Sequence, residues 1–257
     1  MNLSDMENRL KQINILRDSG RFARVAHEEM LGGMMLCGYN PGRSKKVNQE
    51  NSEPKSFSDS FNRSKFNKQS VKWLNDIFGY KLETKTDGEI TSDNSISQTN
   101  WLAEASHSIN FSPEDYIKKI DQFTKVLDPI RPSILFLFGI TMFYALCDDK
   151  CQPEIGKILG KPEPIPFNDL LVEFEPPKQL PNYAIMTRPT KAVFPSGRRF
   201  WFGYQQYEKC KVFGLPHPTG SRGIQGHYIE LAGKPFIKPA LENYKIGWNT
   251  NKKTSPW

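Results

Sequence analysis

No stretch of this chain approaches the roughly 20 consecutive apolar residues that a membrane-spanning helix needs. The N-terminal stretch Met1–Arg17 is charged and periodic, unlike a secretory signal. These two absences make a cytoplasmic protein with no membrane partner the expectation. Cysteine is sparse: Cys37, Cys147, Cys151 and Cys210. Cys37 and Cys210 lie in apolar runs and read as buried free thiols. Cys147 and Cys151 stand four apart, but no Cys or His pair at ligand spacing completes a zinc set, so no metal and no cofactor are expected. Gly-x-Gly-x-x-Gly is missing, and Gly38–Lys46 lacks the Gly-Lys-Ser/Thr ending of a phosphate loop, which argues against a nucleotide-binding α/β protein. Internal repeats are missing as well.

What the sequence does have is an excess of positive charge and enough length for a core. The formal net charge is +7 and the isoelectric point about 9.1. Such an excess favours a polyanionic partner, because Lys and Arg displace counterions from phosphates. The 257 residues suit one large domain, 1–257, with a core over about 34–231 and a basic tail over about 245–257. A monomer is expected.

The periodicities predict alternating helices and strands. Ser4-x-x-Glu7 reads as a capping box, followed by Met6, Leu10, Ile13 and Leu16 at helical spacing. Residues 34–37 form a short apolar run that stops at Gly38-Tyr-Asn-Pro-Gly42, as a buried strand entering a loop does. Lys45–Asn62 and Thr84–Ser95 are polar and read as loops. Val71, Leu74 and Phe78 share a helical face. Ile96–Leu102 is a strand candidate. Ser112-Pro113-Glu114 starts a helix with the stripe Tyr116, Ile120, Phe123 and Leu127, which Pro129 and Pro132 should end. Residues 133–138 and 211–215 are the clearest remaining strands, with a short helix Thr141–Cys147 after the first. Gln152–Gly203 is Pro-rich and aperiodic, with short strands expected at Ala192–Phe194 and Phe200–Phe202. A helix is expected over His227–Leu231. This alternation predicts a three-layer α/β/α fold around a central four-stranded, mainly parallel sheet. In such a sheet ligands bind beyond the carboxyl ends of the strands. Asn40, Asn100 and His217 all fall there.

Gly38-Tyr-Asn-Pro-Gly42 resembles the first motif of the uracil-DNA glycosylase superfamily, in the Gly-x-Asn-Pro-Gly form of its mismatch-specific, thymine-DNA and single-strand-selective branches. Leu215-Pro-His-Pro-Thr-Gly-Ser-Arg-Gly223 resembles the second motif. Thr99-Asn100 and Arg131-Pro-Ser-Ile-Leu-Phe-Leu-Phe-Gly139 are similar to the middle of the iron–sulfur branch. The resemblance covers about Met34 to Leu231. That branch carries four cluster-binding cysteines, including a Cys-x-x-Cys that this chain lacks, so no cluster is expected.

The resemblance implies a uracil-DNA glycosylase-like fold, single- or double-stranded DNA as partner and hydrolysis of an N-glycosidic bond. Asn40 would hold the attacking water through its amide oxygen, without the proton-accepting capacity of a carboxylate. His217 would donate a hydrogen bond to the base O2 as charge develops there, an effect worth ~2.7–4 kcal/mol. Asn100 would read the Watson–Crick edge of the flipped base, with Tyr39 beside it. Phe57 or Phe61 would stack on the base. Gly42, where uracil-strict relatives carry a bulky ring, leaves room for a 5-substituent. Thr219, with Ser221 or Arg222 as wedge, would enter the minor groove. Lys45, Lys46, Arg198 and Arg199 are candidate phosphate contacts.

Three functions fit these residues. One is a monofunctional glycosylase of base-excision repair acting on uracil or a damaged pyrimidine. A second is a glycosylase for a bulky 5-modified phage-type pyrimidine in antiviral defence. The third is a DNA-binding relative without catalysis, which Asn rather than Asp at position 40 leaves open.

Overall fold

The computed structural model describes residues 2–20, 26, 28–39, 65–74, 95–103, 111–165, 174–194, 199–218, 229 and 237–240. Helix α1 spans Leu3–Asp18. Its N-cap is Asn2, whose side-chain oxygen accepts from the Asp5 backbone N–H at 2.8 Å. The expected capping box at Ser4 is therefore displaced: Asn caps as well as Ser, and Asn2 comes first. A 3-10 turn, Glu28–Met30, leads into β1, Met34–Gly38. After it come α2 (Lys65–Lys72) and β2 (Ile96–Asn100).

The helix expected from Ser112 is two helices, α3 (Pro113–Ile117) and α4 (Ile120–Ile130). Ser112 begins α3, its backbone N–H donating to Asp115 Oδ2 at 2.8 Å. Pro129 does not end α4 but lies inside it. So near the helix end its missing N–H removes one intrahelical bond only, and its carbonyl accepts from the buried Arg9 Nε of α1 at 2.9 Å. Arg131, at φ 46°, closes α4 in the left-handed conformation, and Pro132 lies beyond the stop.

Strand β3 (Ile134–Phe138) is followed by α5 (Ile140–Cys147) and α6 (Gln152–Leu159). Short β4 (Pro162–Glu163), β5 (Lys178–Gln179) and β6 (Ile185–Thr187) precede β7 (Phe202–Tyr207) and β8 (Lys211–Leu215). The region after Gln152 is thus more regular than its proline content suggests. Ala192–Phe194 is a turn instead of a strand, and of Phe200–Phe202 only Phe202 belongs to a strand.

Among the described residues the sheet has eight strands, not four. Its path is β2-β1-β3-β8-β7-β6-β5, with β4 also on β7. The expected parallel unit is one half of it: β2, β1, β3 and β8 pair in parallel. From β7 onward every pairing is antiparallel. β7 lies beside β8 because a two-residue turn, Glu208-Lys209, and Cys210 are all that separates them, and so short a connection permits only an antiparallel hairpin.

Alternate residues of the parallel strands face opposite sides, as strand geometry requires. Met35, Cys37, Leu135, Leu137 and Val212 pack with α1 and α3–α6. Met34, Leu36, Ile134, Phe136, Phe213 and Leu215 pack with Phe66 of α2, Trp73 and Leu74. Helices therefore cover both faces of the sheet. All four cysteines are buried free thiols. Among the described residues no helix is long and apolar enough to cross a membrane.

Candidate functional site at the carboxyl edge of the sheet

The four parallel strands end side by side at Gly38, Asn100, Phe138 and Leu215. Two further backbone bonds, Trp101 N–H to Gly38 O and Leu102 N–H to Tyr39 O, both 3.0 Å, carry the β1–β2 pairing past the strand ends. They fix the backbone of Tyr39 as it leaves the sheet.

His217 follows β8 after Pro216. Its imidazole lies nearly parallel to the Tyr39 ring, with centroids 4.9 Å apart and planes 7° apart. Phe66, from the first turn of α2, approaches the imidazole from another side at 5.6 Å and 50°. The Phe66 ring in turn stands edge-on to Phe138 at 5.2 Å. Two glycines make this packing possible. A Cβ on Gly38 would lie 2.7 Å from the Asn100 side-chain oxygen and 3.8 Å from the Phe66 ring. A Cβ on Gly139 would lie 2.5 Å from Tyr39 Cζ. Asn100 and Phe66 thus share the space over Gly38, and Tyr39 lies against Gly139.

Burial sets the electrostatics. It lowers the His217 pKa to about 4, so the imidazole is neutral across the physiological range. Burial also raises the Tyr39 phenol, which stays protonated. A neutral imidazole presents one N–H donor and one acceptor nitrogen.

Of the residues singled out from sequence, Tyr39, Asn100 and His217 come together here. Asn40, Gly42, Lys45, Lys46, Phe57, Phe61, Arg198, Thr219, Ser221 and Arg222 lie outside the described residues. Arg199 is described, and its guanidinium is bound to Glu175 and to the Pro189 carbonyl, with the side chain 13% exposed. Phe66 is a further aromatic at this edge that sequence reasoning did not single out. The signal lay in Phe66, Ser70, Trp73 and Leu74, which recur at helical spacing and place this aromatic of α2 against the strand ends.

A surface groove lined by Ile15, Leu16, Lys125, Asp128 and Lys157 contains none of these residues. Among the described residues no group of three or more His, Cys, Asp or Glu side chains is placed to hold a metal ion. No family model matches the chain, and no curated protein matches it.

Proposed function

We propose that this protein is a DNA glycosylase that hydrolyses the bond between a flipped uracil or modified pyrimidine and its deoxyribose. The observation that carries the reading is the cluster at the carboxyl edge: a neutral His217 braced by Tyr39, beside an aromatic face and an amide. A flipped pyrimidine needs those elements: a flat surface, a two-sided hydrogen-bonding partner and a donor for its O2.

In this reading Phe66 offers its ring to the base and Asn100 meets its Watson–Crick edge. Water, held by the Asn40 side-chain oxygen, attacks C1′ as the C1′–N1 bond breaks. The bonding electrons leave with the base and collect on its ring and O2. The His217 N–H meets that developing charge, as a preorganised donor does in a site with little water. The attacking water loses its proton to solvent and the released base gains one. Tyr39 holds the plane of the imidazole, so the N–H direction is set before the charge appears. The segments Gly38–Gly42 and Leu215–Gly223, which resemble glycosylase motifs, support this assignment, since both begin at strands that end at the cluster.

The test is incubation of the protein with oligonucleotides carrying a panel of uracil, thymine and 5-substituted pyrimidines. Alkali then reveals abasic sites and mass spectrometry names the released base. Release of a pyrimidine that His217→Ala abolishes is the expected result. Failure to release any base from the panel would overturn the reading.

A further inference from the structure

The antiparallel half of the sheet brings a second cluster to the same edge. β6 and β8 both run antiparallel to β7 and therefore point the same way. The chain leaves β6 at Thr187 and enters β7 at Phe202 on the side where β8 delivers His217. Arg188 comes directly after β6, Arg199 and Trp201 come just before β7, and Lys178 opens β5 opposite Met186.

These residues form a cationic shelf around one indole. The Arg188 guanidinium carbon lies 4.4 Å from the Trp201 ring centroid and the Lys178 ammonium 4.5 Å from it. Glu175 holds Arg188 through Nε at 2.7 Å and also binds Arg199. Glu175 thus fixes the arginines, and its pKa is lowered mainly by the Arg188 bond, so it remains a carboxylate. Lys178 is exposed, and among the described residues no carboxylate pairs with it. Among the described residues the shelf holds three cations to one anion, and two of the cations share a ring. Cation–π attraction at an exposed site offsets about 0.5–1 kcal/mol of that crowding. A phosphate would neutralise the rest.

Spacing fits a strand of nucleic acid. Neighbouring strands lie about 4.8 Å apart, so β6 stands about 10 Å and β5 about 14 Å from β8. That distance matches three to four nucleotides at ~3.4 Å of axial advance each. We propose that Lys178, Arg188 and Trp201 form a second DNA-contacting surface, holding the backbone of the strand that flanks the nucleotide at His217. Lys178 and the outer N–H groups of Arg188 contact phosphate, Trp201 keeps both heads in place, and Arg199 with Glu175 is the internal brace. The choice of DNA as the strand rests on the glycosylase reading.

The experiment is fluorescence anisotropy over a salt series, with oligonucleotides that extend one or six nucleotides to either side of the modified base. The proteins are the wild type, Lys178→Ala, Lys178→Glu, Arg188→Gln and His217→Ala, each checked for an unchanged melting temperature. Lys178→Ala is expected to weaken binding several-fold and to lower the slope of log K against log salt by about one, as loss of one phosphate contact requires. Lys178→Glu should weaken it further, and both effects should vanish on the oligonucleotides with short flanks. An unchanged slope for both Lys178 variants and Arg188→Gln overturns the proposal and assigns the cluster to hairpin stability. Base release with an unchanged slope rejects the shelf and keeps the glycosylase. A shelf-dependent slope without base release keeps the shelf and rejects the glycosylase. A wild type that binds no DNA rejects both.

Discussion

The two inner strands of the parallel half, β1 and β3, are apolar on both faces, whereas β7 in the antiparallel half buries polar side chains. All five residues of β1 and of β3 are buried. In β7, by contrast, Gln205 is fully buried, donating from Nε2 to Asn182 O at 2.9 Å. Gln206 donates to Glu163 at 2.6 Å, and the Tyr204 hydroxyl pairs with Gln206 at 3.1 Å. β1 and β3 are held by exclusion of water, and β7 adds satisfied side-chain hydrogen bonds. On the parallel side the edge strand β2 also buries Ser97 and Thr99, and Asn100 and His217 stand at the strand ends. The antiparallel half lengthens the edge beside them. The halves meet at the pair Gly203 and Gly214, directly opposite one another on β7 and β8. A Cβ on Gly203 or Gly214 would lie 2.7 or 2.6 Å from Phe143 Cγ of α5, so one aromatic ring presses on both strands.

If the chemistry belongs to the parallel half, its strand-end residues should dominate activity. Asn40→Ala and His217→Ala are each expected to lower the single-turnover rate of base release by ~10²-fold or more. DNA affinity should change little, because phosphate contacts supply most of it. A rate near that of the wild type in either variant would remove that residue from the chemistry.

The seam should respond in stability. Gly214→Ala forces its methyl into the Phe143 ring and should cost about 1–3 kcal/mol, the usual penalty of overpacking. Urea unfolding should show a single transition with a lower midpoint if the halves fold as one unit. Two separate transitions would mean that they do not.

Gly38→Ala should separate site from scaffold more finely. Its methyl meets the movable end of Asn100, so stability should hold while the amide is displaced. A loss of roughly tenfold in base release is expected, equivalent to about 1.4 kcal/mol. Equal losses of stability and activity would mean that the backbone has moved as well.

The smallest effect concerns pH. His217 has a lower pKa folded than unfolded, so between about pH 6.5 and 4 the unfolded chain binds more protons. Its contribution to stability is intact above that window and is lost as pH falls through it. The imidazole itself stays neutral down to about pH 4, so base release should be flat from pH 8 to 5. A rate inflection near 6.5, or an NMR titration of His217 at that value, would contradict the burial seen here.

Strands β1, β3 and β8 were legible to within a residue because uninterrupted apolar runs have few other uses. β7 was not, because buried Gln205 carries no apolar signature; only its partners Asn182 and Cys147, distant in sequence, make the burial affordable. Helix α6 was legible and overlooked: Pro153 in its first turn and Ile155, Ile158 and Leu159 on one face are an ordinary helix signal hidden by the prolines around it. At the site, His217 and Asn100 could be read because polar residues at strand ends have a position before any fold is known. Phe66 was not singled out because its helical spacing with Ser70, Trp73 and Leu74 marks a buried stripe without showing which strand ends that stripe meets.

The place of β1 between β2 and β3 has a consequence during synthesis. Ser133, at the entrance to β3, donates its hydroxyl to Gly32 just before β1, a bond across 101 residues. The Arg9–Pro129 bond spans 120. At about 5–20 residues per second, the ribosome makes the apolar β1 roughly 5–20 s before β3 can cover its flank. Over the residues between them, a little more than a third of the chain, only β2 can pair with β1 and its other flank stays open, so slowing translation between Gly38 and Ile134 should raise its demand for holding chaperones.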